Sequence, residues 1–231
     1  MRLLTLSILV LALFVPATFS AKGGDRADEV QRLNRATEVF SEIMRAPDKG
    51  VPEDLLDKAE CVAIIPGLKK GGFIVGGRYG KGAVMCRRPG KRWSAPSFIR
   101  VDGGSFGLQI GGQQIDLVML IMNRNGMDKL LGDKFTIGAD ASAAAGPVGR
   151  RTSAETNIRM DAQILTYSRA KGLFAGVSID GAVVRPDKDD NREFYKKDFE
   201  PKTILFSDDV PMPAEAKTLA AALSRESPRK K

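Results

Sequence analysis

The spacing of apolar residues changes character along this chain. Within 27–44 they fall at Ala27, Val30, Leu33, Ala36, Val39, Phe40, Ile43 and Met44, with Arg26, Arg32, Arg35 and Glu42 off the stripe. That spacing predicts an amphipathic helix. Such a helix either packs on a core or lies along a membrane surface. Residues 46–50 end it. Pro52-Glu53-Asp54 predicts a second, short helix to about Lys58, with proline at its start and acids in its first turn. From Cys61 onward the texture is that of short strands. They are expected at 61–65, ending at Pro66-Gly67; at 72–78, turning at 79–82; at 83–87, turning at Pro89-Gly90; and at 97–101, 105–110 and 115–122. A short helix at 126–131 and small-residue segments at 135–139 and 141–146 follow. Late strands are expected at 164–167, 173–179 and 182–185. Residues 187–197 read as a charged loop, 213–223 as an alanine-rich helix and 224–231 as a basic tail. Together these predict an α+β fold: a predominantly antiparallel, curled or barrel-like sheet of many short strands, flanked by N- and C-terminal helices.

The first 21 residues follow neither pattern. Met1-Arg2 is a short basic start, Leu3 to Val15 is apolar except for Thr5 and Ser7, and Pro16-Ala-Thr-Phe-Ser-Ala21 is a small-residue exit. This is the layout of a cleaved secretory signal peptide. The alternative, a membrane anchor, needs an apolar run of about 20 residues. The expected organisation is therefore a signal peptide at 1–21, a polar linker at 22–28, one folded domain at 29–206, and a C-terminal helix with a basic tail at 207–231. The expected location is the periplasm or cell envelope, with the mature chain secreted or held peripherally on a membrane. In an oxidising compartment Cys61 and Cys86, the two cysteines, form one disulfide or remain buried thiols on strands; their spacing does not decide between these.

Net charge sharpens the picture. The chain carries +8, which favours anionic partners. No acid occurs between Glu60 and Asp102, while nine basic residues do: Lys69, Lys70, Arg78, Lys81, Arg87, Arg88, Lys91, Arg92 and Arg100. In an up-and-down meander, alternate turns share one end of the sheet. That would gather Lys69, Lys70, Arg87, Arg88, Lys91 and Arg92, with Trp93 beside them, and leave Arg78 and Lys81 at the other end. A basic end with one indole suits an anionic phospholipid surface. The plainer alternative is a set of solvated turn charges. Aromatics at 6% offer no stacking platform for nucleic acid.

Catalytic chemistry finds little footing. The chain has no histidine, hence no imidazole base and none of the commonest metal ligand. Gly103-Gly104-Ser105-Phe106-Gly107 matches the G-x-S-x-G nucleophile elbow, but that elbow needs a histidine base. The glycine-rich run 71–82 lacks the spacing of a phosphate loop. No cofactor, metal site or catalytic residue is expected, and these glycines are assigned to hairpins and close strand packing.

Several blocks nevertheless resemble a known family. They are Ile64-Ile65-Pro66, the run Gly-Gly-Phe-Ile-Val-Gly-Gly-Arg-Tyr-Gly-Lys-Gly at 71–82, and Trp93-Ser94-Ala95-Pro96-Ser97. Gly107-Leu-Gln-Ile-Gly111, Ala145-Gly-Pro-Val-Gly-Arg150 and Tyr167-Ser-Arg-Ala-Lys-Gly-Leu-Phe-Ala-Gly-Val-Ser178 follow. In order and spacing they are similar to the SYLF domain over about 27–206. The resemblance implies a non-enzymatic lipid-binding module, phosphoinositide-type in eukaryotic members, acting through basic residues and an N-terminal amphipathic helix. It also implies a second role, as a structural or adaptor protein binding another protein, actin in some eukaryotic members. The signal peptide departs from that pattern and separates an exported chain from cytosolic actin. Trp93, Tyr167 and Phe174 are core residues by default. Oligomeric state and the individual lipid are not legible.

Overall fold

The computed structural model describes residues 26–46, 50–72, 75–106, 111–140, 142–147, 162–170, 173–176 and 179–227. The segment 1–21, most of the linker 22–28 and the last four residues lie outside the described residues, as do the side chains of Lys91 and Phe174.

Helix α1 (Arg26–Arg45) forms where the stripe predicts it, with Asp28 and Glu29 in its first turn and Arg45 in its last. Its apolar face (Leu33, Ala36, Val39, Phe40 and Ile43) is buried in the core, so this helix packs on the sheet. A short α2 (Glu53–Lys58) leads into four long strands: β1 (Cys61–Gly72), β2 (Val75–Cys86), β3 (Ser97–Phe106) and β4 (Gly111–Ile121). Then come α3 (Arg124–Leu130), β5 (Phe135–Thr136), β6 (Ala143–Ala145), β7 (Ile164–Ala170), β8 (Leu173–Gly176) and β9 (Val183–Pro186). Helices α4 (Lys188–Tyr195), α5 (Pro201–Phe206) and α6 (Lys217–Glu226) close the chain.

Among the described residues the strands form one sheet in the order β5-β9-β3-β2-β1-β4-β7-β6, with β8 beside β7. Every pairing is antiparallel except β6 with β7. The sheet is curled, and the period of two divides its side chains between two apolar layers. Val62, Ile64, Met85, Phe98, Val118 and Leu120 pack with α1, α2 and α6. Ala63, Ile65, Val84, Ile99, Leu117 and Met119 pack with α3, Phe135 and Val184 on the other side. Leu219, Ala222 and Leu223 of α6 belong to the same layer as α1. The expected α+β architecture is the one observed.

Two local expectations fail for related reasons. Pro66-Gly67 is not a chain reversal, and neither is 79–82: β1 and β2 run straight through them. Pro66-Gly67 is instead a bulge, seen as a register shift between Ile65 and Leu68. Gly67 takes a positive φ of 65°, and its N–H donates to Asp116 Oδ1 at 2.9 Å. On β2, a Cβ at Gly82 would stand 2.3 Å from the Ile64 carbonyl oxygen and 2.8 Å from Ile65 Cγ1. Glycine and proline here mark a bulge and the close approach it forces on the next strand. Residues 187–197 are not a loop either. Asp187 caps α4 by accepting from the Asp190 N–H at 3.3 Å, and Phe194 anchors the helix in the core. Helix α5 was not expected at all; Pro201 stands in its first turn.

Cys61 and Cys86 are directly opposite across the β1–β2 pair and are joined in a disulfide. At the other end of that pair, glycine faces glycine across four strands. Gly104, Gly77, Gly71 and Gly112 form one row, and Gly76, Gly72 and Gly111 continue the next.

Candidate functional site

The straight course of β1 and β2 separates charges that a meander of short strands would have gathered. Lys69 pairs with Tyr79 and Lys70 with Arg78, near the glycine end. The segment containing Arg87 to Trp93 lies beyond Cys86, at the disulfide end. The predicted cluster of Lys69, Lys70, Arg87, Arg88, Lys91, Arg92 and Trp93 is therefore not formed. Arg78 stands beside Lys70 rather than at the opposite end from it.

At the disulfide end two of the predicted lipid ligands are occupied inside the protein. Arg87 is 7% exposed. Its guanidinium donates to the carbonyls of Ala59, Leu56 and Ser227, and to Ser227 Oγ at 2.6 Å. It thereby satisfies the C-terminal ends of α2 and α6 at once. Arg88 donates to the Ile204 carbonyl at 2.8 Å and the Leu205 carbonyl at 3.1 Å, at the end of α5. Trp93 is buried at 4% exposure. Among the described side chains at this end, Arg92 is the exposed one of the predicted ligands.

At the glycine end a basic face forms from residues far apart in sequence. Lys69 and Tyr79 pair across β1 and β2, Lys81 with Arg100 across β2 and β3, and Arg100 with Arg185 across β3 and β9. By the alternation of strands all five share the face that α1 partly covers. Between α1 and this face lies a cleft of about 280 Å³, lined by Arg32 and Arg35 from the helix, by Lys69, Tyr79 and Lys81 from the sheet, and by the acid Asp28. Tyr79, 49% exposed, stands on its rim. The bulge shapes this cleft, since Pro66 and Gly67 also line it. Arg169 holds the bulge to α1 by binding Asp116 at 2.7 Å and also Glu42.

The cations of the cleft and of the face beside it are of two kinds. Lys81 binds Asp187 at 2.9 Å and Asp190 at 2.7 Å, and Arg32 binds Asp190. Burial alone would depress the Lys81 pKa, but hydrogen bonds to Asp190 and Asp187 hold it above its ordinary value. Arg100 and Arg185 share Asp102, at 3.6 and 2.8 Å. Arg35 and Lys69, by contrast, are exposed and have no ion-pair partner among the described residues. On the same helix, near Arg32 and Asp190, Glu29 is fully buried, with neither carboxylate oxygen hydrogen-bonded among the described residues. Burial, and then the charge of Asp190, pushes its pKa up. Of the predicted ligands only Lys69 belongs to this cleft; Lys70 points to the other face. Arg35, Tyr79 and Arg185 were not singled out, and Arg100 was counted in the basic stretch without being placed at the site, because only the register brings them together.

Nothing in the site is arranged as a nucleophile elbow. Ser105 lies within β3, paired with Gly76, and not on a strand-to-helix turn. Among the described residues no three His, Cys, Asp or Glu side chains converge as a metal-binding group. No described helix is long and apolar enough to cross a membrane.

A curled antiparallel sheet, backed by its first and last helices and presenting a basic face at one end, defines the class of this domain. The chain belongs to the Ysc84, or SYLF, family, whose description is "Las17-binding protein actin regulator" and which matches residues 102–226. It is 35% identical over 199 residues to the rat "SH3 domain-containing YSC84-like protein 1", an alignment covering 85% of this chain and 58% of that protein. The human protein of the same name is 36% identical over 194 residues, covering 83% and 56%. The "LAS seventeen-binding protein 3" of Saccharomyces cerevisiae is 35% identical over 170 residues, covering 72% and 37%. The chain thus spans little more than half the length of its mammalian relatives.

Proposed function

We propose that this protein is a non-enzymatic, peripheral domain that binds anionic phospholipid surfaces of the cell envelope through the basic face at the glycine end of its sheet. One observation carries the reading. Arg35 and Lys69 stand exposed on either side of a cleft, without an ion-pair partner among the described residues, and the amphipathic ring of Tyr79 stands on its rim. Lysine and arginine beside a tyrosine suit the boundary between head groups and acyl chains. Each basic residue near an anionic surface contributes roughly 1 kcal/mol. Helix α1 takes part through its polar edge, since its apolar face is occupied by the core. The apolar run at 3–15, followed by a small-residue exit, supports export. A disulfide between Cys61 and Cys86 agrees with an oxidising compartment.

The test is co-sedimentation with vesicles of phosphatidylcholine alone and with added phosphatidylglycerol, at low and high salt. Binding to the anionic vesicles only, weakened by salt and by Arg35→Ala with Lys69→Ala, is expected. Equal binding to both vesicles, or binding indifferent to the two substitutions, overturns the reading. A second reading follows from the yeast relative's name: the same face binds an acidic protein partner. A stable complex recovered by pull-down, with no vesicle affinity, would favour it.

A further inference from the structure

At the disulfide end, far from the basic face, a separate cavity of about 400 Å³ opens between the segment after β2, the loop before α6, and α6 itself. Its walls are apolar: Trp93 and Ala95 on one side, Val210 and Met212 on another, Ala220 on the helix. The alanine keeps the helix side low, and methionine adapts its shape to an occupant. Its mouth is cationic. Arg88 and Arg92 both line it. The one acid there, Asp208, is 3.7 Å from Arg88 and 89% exposed to water, where a solvated pair contributes little. The Trp93 nitrogen is itself sealed from solvent, so the indole offers the cavity its carbon surface.

The geometry points to a binding site for a single-chain anionic amphiphile. Its alkyl chain lies against Trp93, Val210, Met212 and Ala220, and its head group pairs with Arg92 at the mouth. Volume and character fit. Ligand pockets of this kind run from about 300 to 1,000 Å³, are mostly apolar, and carry a few convergent polar groups that fix orientation. Charge selects the head: the exposed Arg92 guanidinium, with Arg88 held behind it by the Ile204 and Leu205 carbonyls, outweighs one solvated carboxylate, which favours an anion and disfavours a cation. The site does not rest on the membrane reading, because it shares no residue with the cleft between α1 and the sheet.

Trp93 is the chain's one tryptophan, so its emission reports on this cavity alone. The experiment titrates the full protein with decanoate, decanol and decyltrimethylammonium, each below its aggregation threshold. Decanoate is expected to change the emission saturably at one equivalent. Decanol should bind about tenfold or more weakly, and the ammonium compound should not saturate. Arg92→Ala should weaken decanoate by about tenfold while leaving decanol unchanged. Ala220→Leu, which fills the cavity, should abolish the change; should that variant fail to fold, Met212→Trp in a Trp93→Phe background moves the reporter to the opposite wall and should respond to decanoate in the same way. Arg35→Ala with Lys69→Ala should leave the titration intact, which separates this site from the vesicle surface. An unsaturable response, equal affinity for all three compounds, or saturation by a free C-terminal peptide carboxylate but not by decanoate overturns the proposal.

Discussion

The guanidinium carbon of Arg87 lies 4.4 Å from the centre of the Trp93 ring, with both side chains buried. The indole screens a cation whose N–H groups are spent on carbonyls at the ends of α2 and α6. Replacing Arg87 by Ala takes a buried donor from those carbonyls, of which Leu56 keeps only the Ala59 N–H at 3.3 Å, and removes the partner of the ring. Such changes cost about 3 kcal/mol or more. Arg87→Lys is expected to recover little, because an ammonium cannot fork between separate acceptors. Urea unfolding followed by Trp93 emission measures both, and vesicle binding by the folded fraction should match that of the unsubstituted protein.

Glycines on neighbouring strands differ in what they do. At Gly82 a methyl group would meet the Ile64 carbonyl oxygen at 2.3 Å, whereas at Gly104 nothing lies within 4 Å. Gly82→Ala should destabilise by about 2 kcal/mol. Gly104→Ala should lie within about 0.5 kcal/mol of the parent. Thermal unfolding of the two variants side by side checks the contrast.

The disulfide closes a loop with a sequence separation of 25 residues. Opening it releases chain entropy in the unfolded state, for a loss of about 3 kcal/mol. Cys61→Ala with Cys86→Ala should show that loss in denaturant unfolding. Reductant should bring the parent to the same midpoint and leave the double variant where it is.

Glu29 has its folded-state pKa raised by burial and by Asp190, with Arg32 opposing and Asp28 adding to the rise. A carboxyl with a raised pKa is fully accommodated below its unfolded value near 4.5, and its contribution to stability is lost as pH climbs through the folded value. Glu29→Gln should therefore unfold at higher urea than the parent at pH 8, and the gap should close toward pH 4. A gap that is constant across this range would contradict the assignment.

How much of this was legible depended on whether the deciding contact was local. The α1 stripe and the change to period two are local patterns, and they fixed the helix and the sheet class. Pro66-Gly67 and 79–82 carry turn residues, yet they sit inside strands. The bulge is defined by Asp116 and by the Ile64 carbonyl oxygen, which only the register brings near. Arg87 and Arg88 look like turn charges in a linear reading; their acceptors come from residues 56, 59, 204, 205 and 227. The helix at 188–195 was hidden by its charge, although Asp187 followed by two acids is a helix-start signal. The basic face is least legible of all, since Arg35, Lys69, Tyr79, Lys81, Arg100 and Arg185 come from four strands and a helix.

The β1–β2 pair is thus built in two mechanical halves. Its base is cross-linked by Cys61–Cys86 and gripped on both sides by apolar layers. Beyond the bulge, after Lys69–Tyr79 and Lys70–Arg78, the ladder ends in two glycine–glycine pairs, where it is held by backbone hydrogen bonds without side-chain packing. A change of twist at those glycine pairs meets no side-chain packing, whereas the same change at the base would disturb both apolar layers.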